Sequence, residues 1–593
     1  MDETQTQRPA QTTPAPEPKA SALEARGWVL AALVGGVTFL LYAPTLRFGF
    51  VYDDRMQILE NPFIQSWHWL PKLFTSNVWE YAGPTFPANY WRPLFMVWLL
   101  INHTLSGFNP AGWHLTTVTC HAAAAVLVYK LAERLTGDRV MAAVAGLLFG
   151  VHPATIETAA WVSGVTDSLL AVFFISALLL YLGVRESGGR ARLGGSLAVY
   201  AMALLAKETA IVLPLVILKH AWIYYGDPAR RPRWGERLRA AFLAALPYLA
   251  VSGLYLVARL QVLKVFAQTQ NHAGLAAMLA TWPSLLLLYL RLLVYPAGIS
   301  PHYDQGMVLG FSFSQVVLPA LALIAVAVGL WGWSRRSASE EGRMVAFAAT
   351  LMVIPVLPVL YLRPLPEGDF AHARYLYLPM IGFAMLAALG LRKLGRPAAS
   401  MVAALAVVAA LAISTGAQQM HWASSLLLYS RGATVAPQNP AALINLGTEL
   451  AARQHPEEAI TVLQRALKLK PDSWHANYNL GYTYMLLHRY AEAEPRLQSA
   501  ARLQPYGADQ FAYLGIAQME LGKLPEAESN LRQAIARAPA GHHFHYALGL
   551  ILEKQGRKAE ALAEFQAELK VDPNDAEAKA AVVRSQESGV SER

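Results

Sequence analysis

Apolar residues run along the chain in long blocks separated by short charged loops, and the pattern changes abruptly near residue 438. The first block, "GWVLAALVGGVTFLLYAPTL", follows a Pro-, Thr- and Gln-rich stretch without hydrophobic periodicity, so residues 1–27 are expected to form a disordered cytoplasmic tail. A block of this length can cross a bilayer, and no small-residue cleavage site follows it; it reads as a retained signal anchor. Ten further blocks, at about 112–130, 139–152, 165–184, 193–206, 208–226, 240–262, 310–333, 344–362, 375–391 and 399–418, bring the expected spans to eleven. Two shorter apolar stretches, 92–106 and 282–296, hold Arg92, Asn102, His103 and Arg291 and read as interfacial or re-entrant helices.

The loops fix an orientation. "KLAERLTGDR", "RESGGRAR", "DPARRPRWGERLR", "RRSASEEGR" and "LRKLGR" each carry three to five Lys or Arg, and eleven spans put all of them on the side of the N-terminus. By the positive-inside tendency that side is the cytoplasm of a cell (inner) membrane. The net charge of +9 therefore belongs to loops between spans and calls for no nucleic-acid partner. With 55% hydrophobic and 15% charged residues, the chain is too apolar for an ordinary soluble enzyme. Its single cysteine, Cys120, excludes an intramolecular disulfide and a Cys-type metal site.

On the same topology, the polar residues that are unusual near a membrane gather on the outer side. They are Asp53, Asp54, Glu60 and Asn61; Trp91 and Arg92; His152, Glu157, Trp161 and Asp167; Lys207 and Glu208; His302, Tyr303 and Asp304; and His372, Arg374 and Tyr375. Each has an ordinary reading as a loop charge, a helix cap, a turn histidine or a snorkelling cation. Several distant segments converging on one membrane face instead suggest a cavity with a function. Carboxylates and cations at the lipid surface suit transfer from a phospholipid-like donor. Arg and Lys hold a departing phosphate, and a carboxylate takes the proton of an attacking hydroxyl. Neighbouring side chains cannot both point at one proton, so one of Asp53 and Asp54 is the expected base and the other a structural or orienting group.

From residue 438 one spacing repeats. Gly447, Gly481, Gly515 and Gly549 stand 34 apart, as do Ala459, Ala493, Ala527 and Ala561, and Pro471, Pro505, Pro539 and Pro573. Ala466, Ala500 and Ala534 follow the same step until Glu568 breaks it. Four tetratricopeptide repeats over 438–586, closed by a capping helix at 575–586, are predicted, after a linker at 421–437 and before a tail at 587–593. Such an array binds a peptide or partner protein. "GHHFH" (His542, His543, His545) offers an i, i+3 metal pair, but a surface cluster is the simpler reading and no metal site is expected.

"YDDRMQILENPFI", "NYWRPLF", "GWHLTTVTCHAAAAVLVYKL", "HPATIETAAWVSGVTDSL", "AKETA" and "ARYLYLP", followed by the repeats, resemble the transmembrane and tetratricopeptide-repeat-containing O-mannosyltransferases of the type C glycosyltransferase (GT-C) superfamily. The resemblance implies an all-α fold: a GT-C-like membrane helix bundle over 28–420, then the repeat solenoid. It implies inverting transfer of a sugar, typically mannose, from a polyprenyl phosphate to Ser or Thr of a protein, with Asp53 and Asp54 as the acidic pair and Asp53 as base. His152, Glu157 and Asp167 match a second motif of the family and Arg374 a third; with Arg92, Lys207, Glu208 and Asp304 they are the expected donor and acceptor contacts. This chain has Ala373 where the family commonly has an acidic residue, and "GVTD" where it has Gly-Arg before the Asp, which leaves the cation for the donor phosphate to be assigned. No cofactor is firmly implied, and divalent metal stays open. Two alternatives remain: the same donor with a lipid or polysaccharide acceptor, and a non-catalytic membrane scaffold whose repeats recruit an envelope assembly complex.

Overall fold

The computed structural model describes residues 20–83, 89–226, 233–265, 268–270, 272–337, 339–366 and 368–590, and these contain helices and loops but no strand. Most of the N-terminal tail and part of the "DPARRPRWGERLR" loop lie outside the described residues.

Helix α1 (Ala20–Tyr42) begins inside the segment expected to be a tail and packs on α4 (Pro110–Thr136) and α5 (Arg139–Val151). Asn109 caps α4, and Gly137, with φ 69°, ends it in a left-handed turn; Asp138 then caps α5 through Val140 N and Met141 N at 3.0 Å. Close approach depends on small residues. A Cβ on Gly150 would lie 2.1 Å from Thr38 Oγ1, and one on Gly382 would lie 2.1 Å from the Ala348 carbonyl.

Between α1 and α4 lie α2 (Leu70–Thr75) and α3 (Pro93–Ser106); after α5 come α6 (Ile156–Ala160), α7 (Val165–Ser187), α8 (Arg190–Ala206), α9 (Leu213–Ile223), α10 (Trp234–Leu263) and α11 (Leu275–Val294). Then follow α12 (Leu318–Arg336), α13 (Ser339–Val353), α14 (Pro379–Arg392) and α15 (Pro397–Gln419). By length and composition eight described helices can cross a membrane, or nine if the bent pair α5 and α6 forms one span.

The contacts at helix ends sort them by side. At the end that holds Gly27, Tyr129 donates to the Gly27 carbonyl, Arg139 pairs with Glu133, Arg392 with Asp138, Arg134 with Glu186, Lys393 with Glu341, and Arg237 donates to the Trp222 carbonyl. At the opposite end Tyr42 meets Thr155, Gln419 donates to the Leu41 carbonyl, Lys207 pairs with Asp167, and Arg259 donates to the Asn89 carbonyl. On these contacts and the order of the chain, α1, α7, α9 and α10 run from one end to the other, and the loop cations Arg134, Arg139, Arg237, Arg392 and Lys393 share the end that holds Gly27. Helix α11 is long enough to cross, yet Trp282 donates to the Leu360 carbonyl and His152 to the Leu293 carbonyl, so both its halves lie against the same end. It lies along that face, as does α3, whose Arg92 and Asn102 ends are bonded to Glu208 and Thr116.

The stretch expected as a linker contains helix α16 (Ser425–Val435), buried against the bundle through Leu428 and Gly432. Four helix pairs follow: α17 (Pro440–Ala452) with α18 (Pro456–Leu469), α19 (Trp474–Leu486) with α20 (Tyr490–Leu503), α21 (Asp509–Glu520) with α22 (Leu524–Arg537), and α23 (Phe544–Lys554) with α24 (Lys558–Val571). The capping helix α25 (Ala576–Val590) extends past the expected boundary at 586. The glycine period now has its physical cause. Cβ atoms on Gly447, Gly481, Gly515 and Gly549 would meet Leu463, Leu497, Leu531 and Phe565 at 2.6, 2.7, 1.9 and 2.4 Å, each on the second helix of the same pair. Gly515→Ala should therefore cost about 1–3 kcal/mol by overpacking. The check is thermal unfolding of the repeats; an unchanged midpoint would mean that α21 and α22 separate freely.

Where the alanine period breaks, Glu568 is buried and accepts the backbone N–H groups of His543, His545 and Tyr546 at 2.8, 3.1 and 3.2 Å, capping α23. His545 turns to Glu564 at 2.6 Å, so it does not pair with His542. His542, His543 and Glu568 do bring donor atoms within 4.8 Å of one another, but the Glu568 carboxylate is already engaged by the cap.

Candidate functional site

The first loop opens with a backbone feature that sorts its two aspartates. Tyr52 has φ 58°, a left-handed conformation uncommon for a bulky residue, and its ring packs edge-on against Trp161, His302 and Tyr429. Beyond this turn Asp54 is fully buried: Oδ1 accepts from Ser163 N at 2.9 Å and Ser163 Oγ at 2.6 Å, and Oδ2 from Val51 N at 3.2 Å. Burial pushes its carboxyl up to about 7 against the pull of these donors. Asp54 thus ties the first loop to the turn before α7, outside the cavity lining. Asp53 points the other way, into a cavity of about 220 Å³ open to the surface.

The same cavity is lined by Arg92, Lys207, Glu208, Arg259 and Arg374, with Trp161, Tyr90 and Tyr375 as aromatic walls. Most of these ions are already matched. Arg92 holds Glu208 through two bonds of 2.9 and 2.6 Å. Lys207 Nζ reaches both oxygens of Asp167 at 2.6 and 2.7 Å, with both side chains buried. Arg374 pairs with Glu157 through its guanidinium, and through its backbone N–H at 3.0 Å; its guanidinium also lies over the rings of Trp161 and Tyr375. Asp53 differs. Among the described residues its carboxylate accepts no hydrogen bond, and burial lifts its pKa to about 6, with Arg374 opposing and Asp369 adding to the rise. It remains ionised at neutral pH and is free to accept a proton.

Five expected site residues, Asp53, Arg92, Lys207, Glu208 and Arg374, thus share one cavity wall, while Glu157 and Asp167 lie behind it and hold its cations. Two others are elsewhere. His152 uses both ring nitrogens on backbone, donating from Nε2 to Leu293 O at 2.9 Å and accepting from Ala154 N at 3.1 Å; it shapes the turn after α5 and is not among the residues lining the cavity. Asp304 is exposed and accepts from Gln438 N at 3.0 Å, fastening the repeats. Glu60 is a surface partner of Arg55, and Asn61 caps a short turn through Phe63 N.

The sequence reading missed Arg259 and Asp369. Arg259 lay inside a block taken wholly as a span, where a lone ionisable residue was itself the available signal. Asp369 accepts from His302 Nδ1 at 2.9 Å and lies 3.6 Å from His372. His302 Nε2 in turn meets Asn445 of α17 at 3.1 Å, while Asn439 donates to the carbonyls of Tyr303 and Gly368. The first repeat is therefore fastened directly to the face that bears the cavity.

Residues 92–255 match the family described as dolichyl-phosphate-mannose-protein mannosyltransferase, and residues 444–508 and 514–576 match the tetratricopeptide repeat family. Protein O-mannosyl-transferase TMTC3 of Mus musculus is 28% identical over 72% of this chain and 50% of its own length, and that of Homo sapiens is 27% identical over the same shares. Protein O-mannosyl-transferase F38B6.6 of Caenorhabditis elegans is 24% identical over 70% of this chain and 59% of its own. The crystal structure of MamA protein aligns with 26% of this chain and 82% of that chain at 25% identity, with a TM-score of 0.24. The chain spans about half the length of the TMTC3 relatives it matches. It is similar to the TMTC-type protein O-mannosyl-transferases in both its parts, and it is a multi-pass membrane protein that carries a tetratricopeptide solenoid.

Proposed function

We propose that the chain transfers a sugar, mannose by its resemblance, from a polyprenyl phosphate to a Ser or Thr hydroxyl of a protein, with inversion, on the extracytoplasmic side of the cell membrane. The observation that carries this reading is Asp53: a cavity carboxylate without a bonded cation among the described residues, set among arginines and a lysine. The acceptor oxygen attacks the anomeric carbon from the face opposite the phosphate. The bond to the phosphate oxygen breaks with its electron pair, and the hydroxyl proton passes to Asp53. The cavity cations stabilise the leaving phosphate, and its protonation is not required.

The lipid nature of the donor rests on a second feature. A largely apolar groove formed by Leu275, Met278, Trp282, Leu357 and Leu360, with Arg363 also in its lining, shares Tyr361 with the cavity wall and suits a hydrocarbon tail. Sidedness is supported by the loop cations Arg134, Arg139, Arg237, Arg392 and Lys393, which share the end that holds Gly27, opposite the cavity.

The first helices of successive repeats gather Tyr478, Tyr482 and Tyr513, with ring centroids 5.1 to 6.5 Å apart, a surface suited to an extended peptide. Replacing all three by Ala should raise KM for a protein acceptor about tenfold and leave donor hydrolysis unchanged. Comparing O-linked sugars on exported proteins between wild type and a deletion strain tests the whole reading. Unaltered glycosylation would end it, and loss confined to a glycolipid or polysaccharide would move the acceptor.

A further inference from the structure

Four cations line the cavity, and three of them, Arg92, Lys207 and Arg374, are neutralised by Glu208, Asp167 and Glu157. The fourth, Arg259 in the last turns of α10, is not. It is 8% exposed, its Nη2 donates to the Asn89 carbonyl at 2.7 Å, and its buried Nη1 has no hydrogen-bond partner among the described residues. The nearby carboxylate, Glu208, is already taken on both oxygens by Arg92. Arg92 and Arg259 thus share the one Glu208 carboxylate, with the Tyr255 hydroxyl beside Arg259, and an anionic ligand would supply the second charge.

We infer that Arg259 is the anchor for the phosphate of the lipid-linked donor, its free Nη1 facing a phosphate oxygen while Asn89 holds the other arm of the guanidinium in place. The inference rests on the donor proposed above and settles which cation takes over from the arginine that this chain lacks in "GVTD". The ligand chemistry is a phosphate ester anion, which a planar guanidinium binds with directed hydrogen bonds. The neighbouring apolar groove selects the source: its walls run on from Pro358, Val359 and Tyr361 of the cavity, so an anion bound there can trail a hydrocarbon chain but has no apolar partner if it is free in solution.

The test uses the full-length protein in lipid nanodiscs and three probes: a polyprenyl monophosphate, the corresponding polyprenol and inorganic phosphate. The wild type should bind the monophosphate about 10- to 100-fold more tightly than the alcohol, the range of one charge-assisted hydrogen-bonded contact. Arg259→Met should abolish that preference, and Arg259→Lys should restore part of it. Inorganic phosphate should compete only at much higher concentration. A folded Arg259→Met variant that still prefers the monophosphate would overturn the assignment while leaving the transferase reading intact. A wild type indifferent to the phosphate would overturn both, and equal competition by inorganic phosphate would make this a free-anion site and overturn the lipid assignment.

Discussion

Asp53→Asn should reduce sugar transfer by about 10² to 10⁴-fold with little change in stability, because it removes the proton acceptor while keeping the shape of a side chain whose oxygens hold no other group. Asp54→Asn should behave in the opposite way. Its Oδ1 accepts from both the N–H and the hydroxyl of Ser163, so an amide in its place strains the loop and lowers the yield of folded protein before it affects chemistry. The two variants are isosteric neighbours, which makes their contrast informative. The base must be unprotonated to act. With Asp53 near 6, kcat/KM should be steady above that pH and fall tenfold per unit well below it, and Asp53→Asn should lose the acid limb from whatever rate remains. Initial rates between about pH 5 and 8 on both proteins decide the matter. A variant that keeps more than a tenth of wild-type activity would remove Asp53 from the mechanism.

Lys207→Met is expected to destabilise the bundle by about 3–5 kcal/mol, since it strands Asp167 inside the protein without its cation. Asp167→Asn alone should be comparably harmful, for the mirror reason. The double variant Lys207→Met with Asp167→Asn should recover most of the loss, because a buried pair replaced as a unit leaves no uncompensated charge. Thermal unfolding in detergent on the two single variants and the double variant measures this coupling. Additive losses would show that the two groups act separately, despite contacts of 2.6 and 2.7 Å.

Much of this architecture could be read from the sequence, for definite physical reasons. The 34-residue period was legible because each Gly faces one bulky side chain on the next helix, so the constraint sits at one residue and recurs with the repeat. The membrane blocks were legible because long apolar runs alternate with short loops rich in Lys and Arg, and eight described helices are long and apolar enough to cross a membrane.

What stayed hidden was pairing. Asp54 and Asp53 are chemically identical neighbours, and only the left-handed turn at Tyr52 and the arrival of Ser163 divide their tasks. His152 sits in a family motif, yet both its nitrogens are spent on backbone atoms, one of them on α11 far along the chain. Arg259 was masked by the apolar residues around it, and α16 by its position between two regions with stronger patterns.

The route by which the cavity is closed has a consequence for biosynthesis. The loop carrying Asp54 leaves the ribosome before nearly everything it will touch: Ser163 lies 109 residues later, and Glu157 waits another 217 for Arg374. Nascent protein therefore passes through stages in which charged groups made early have no companions and must stay hydrated. Helix α17, made later still, supplies Asn445 to His302, so the face that bears the cavity gains this clasp only after residue 445 has been made.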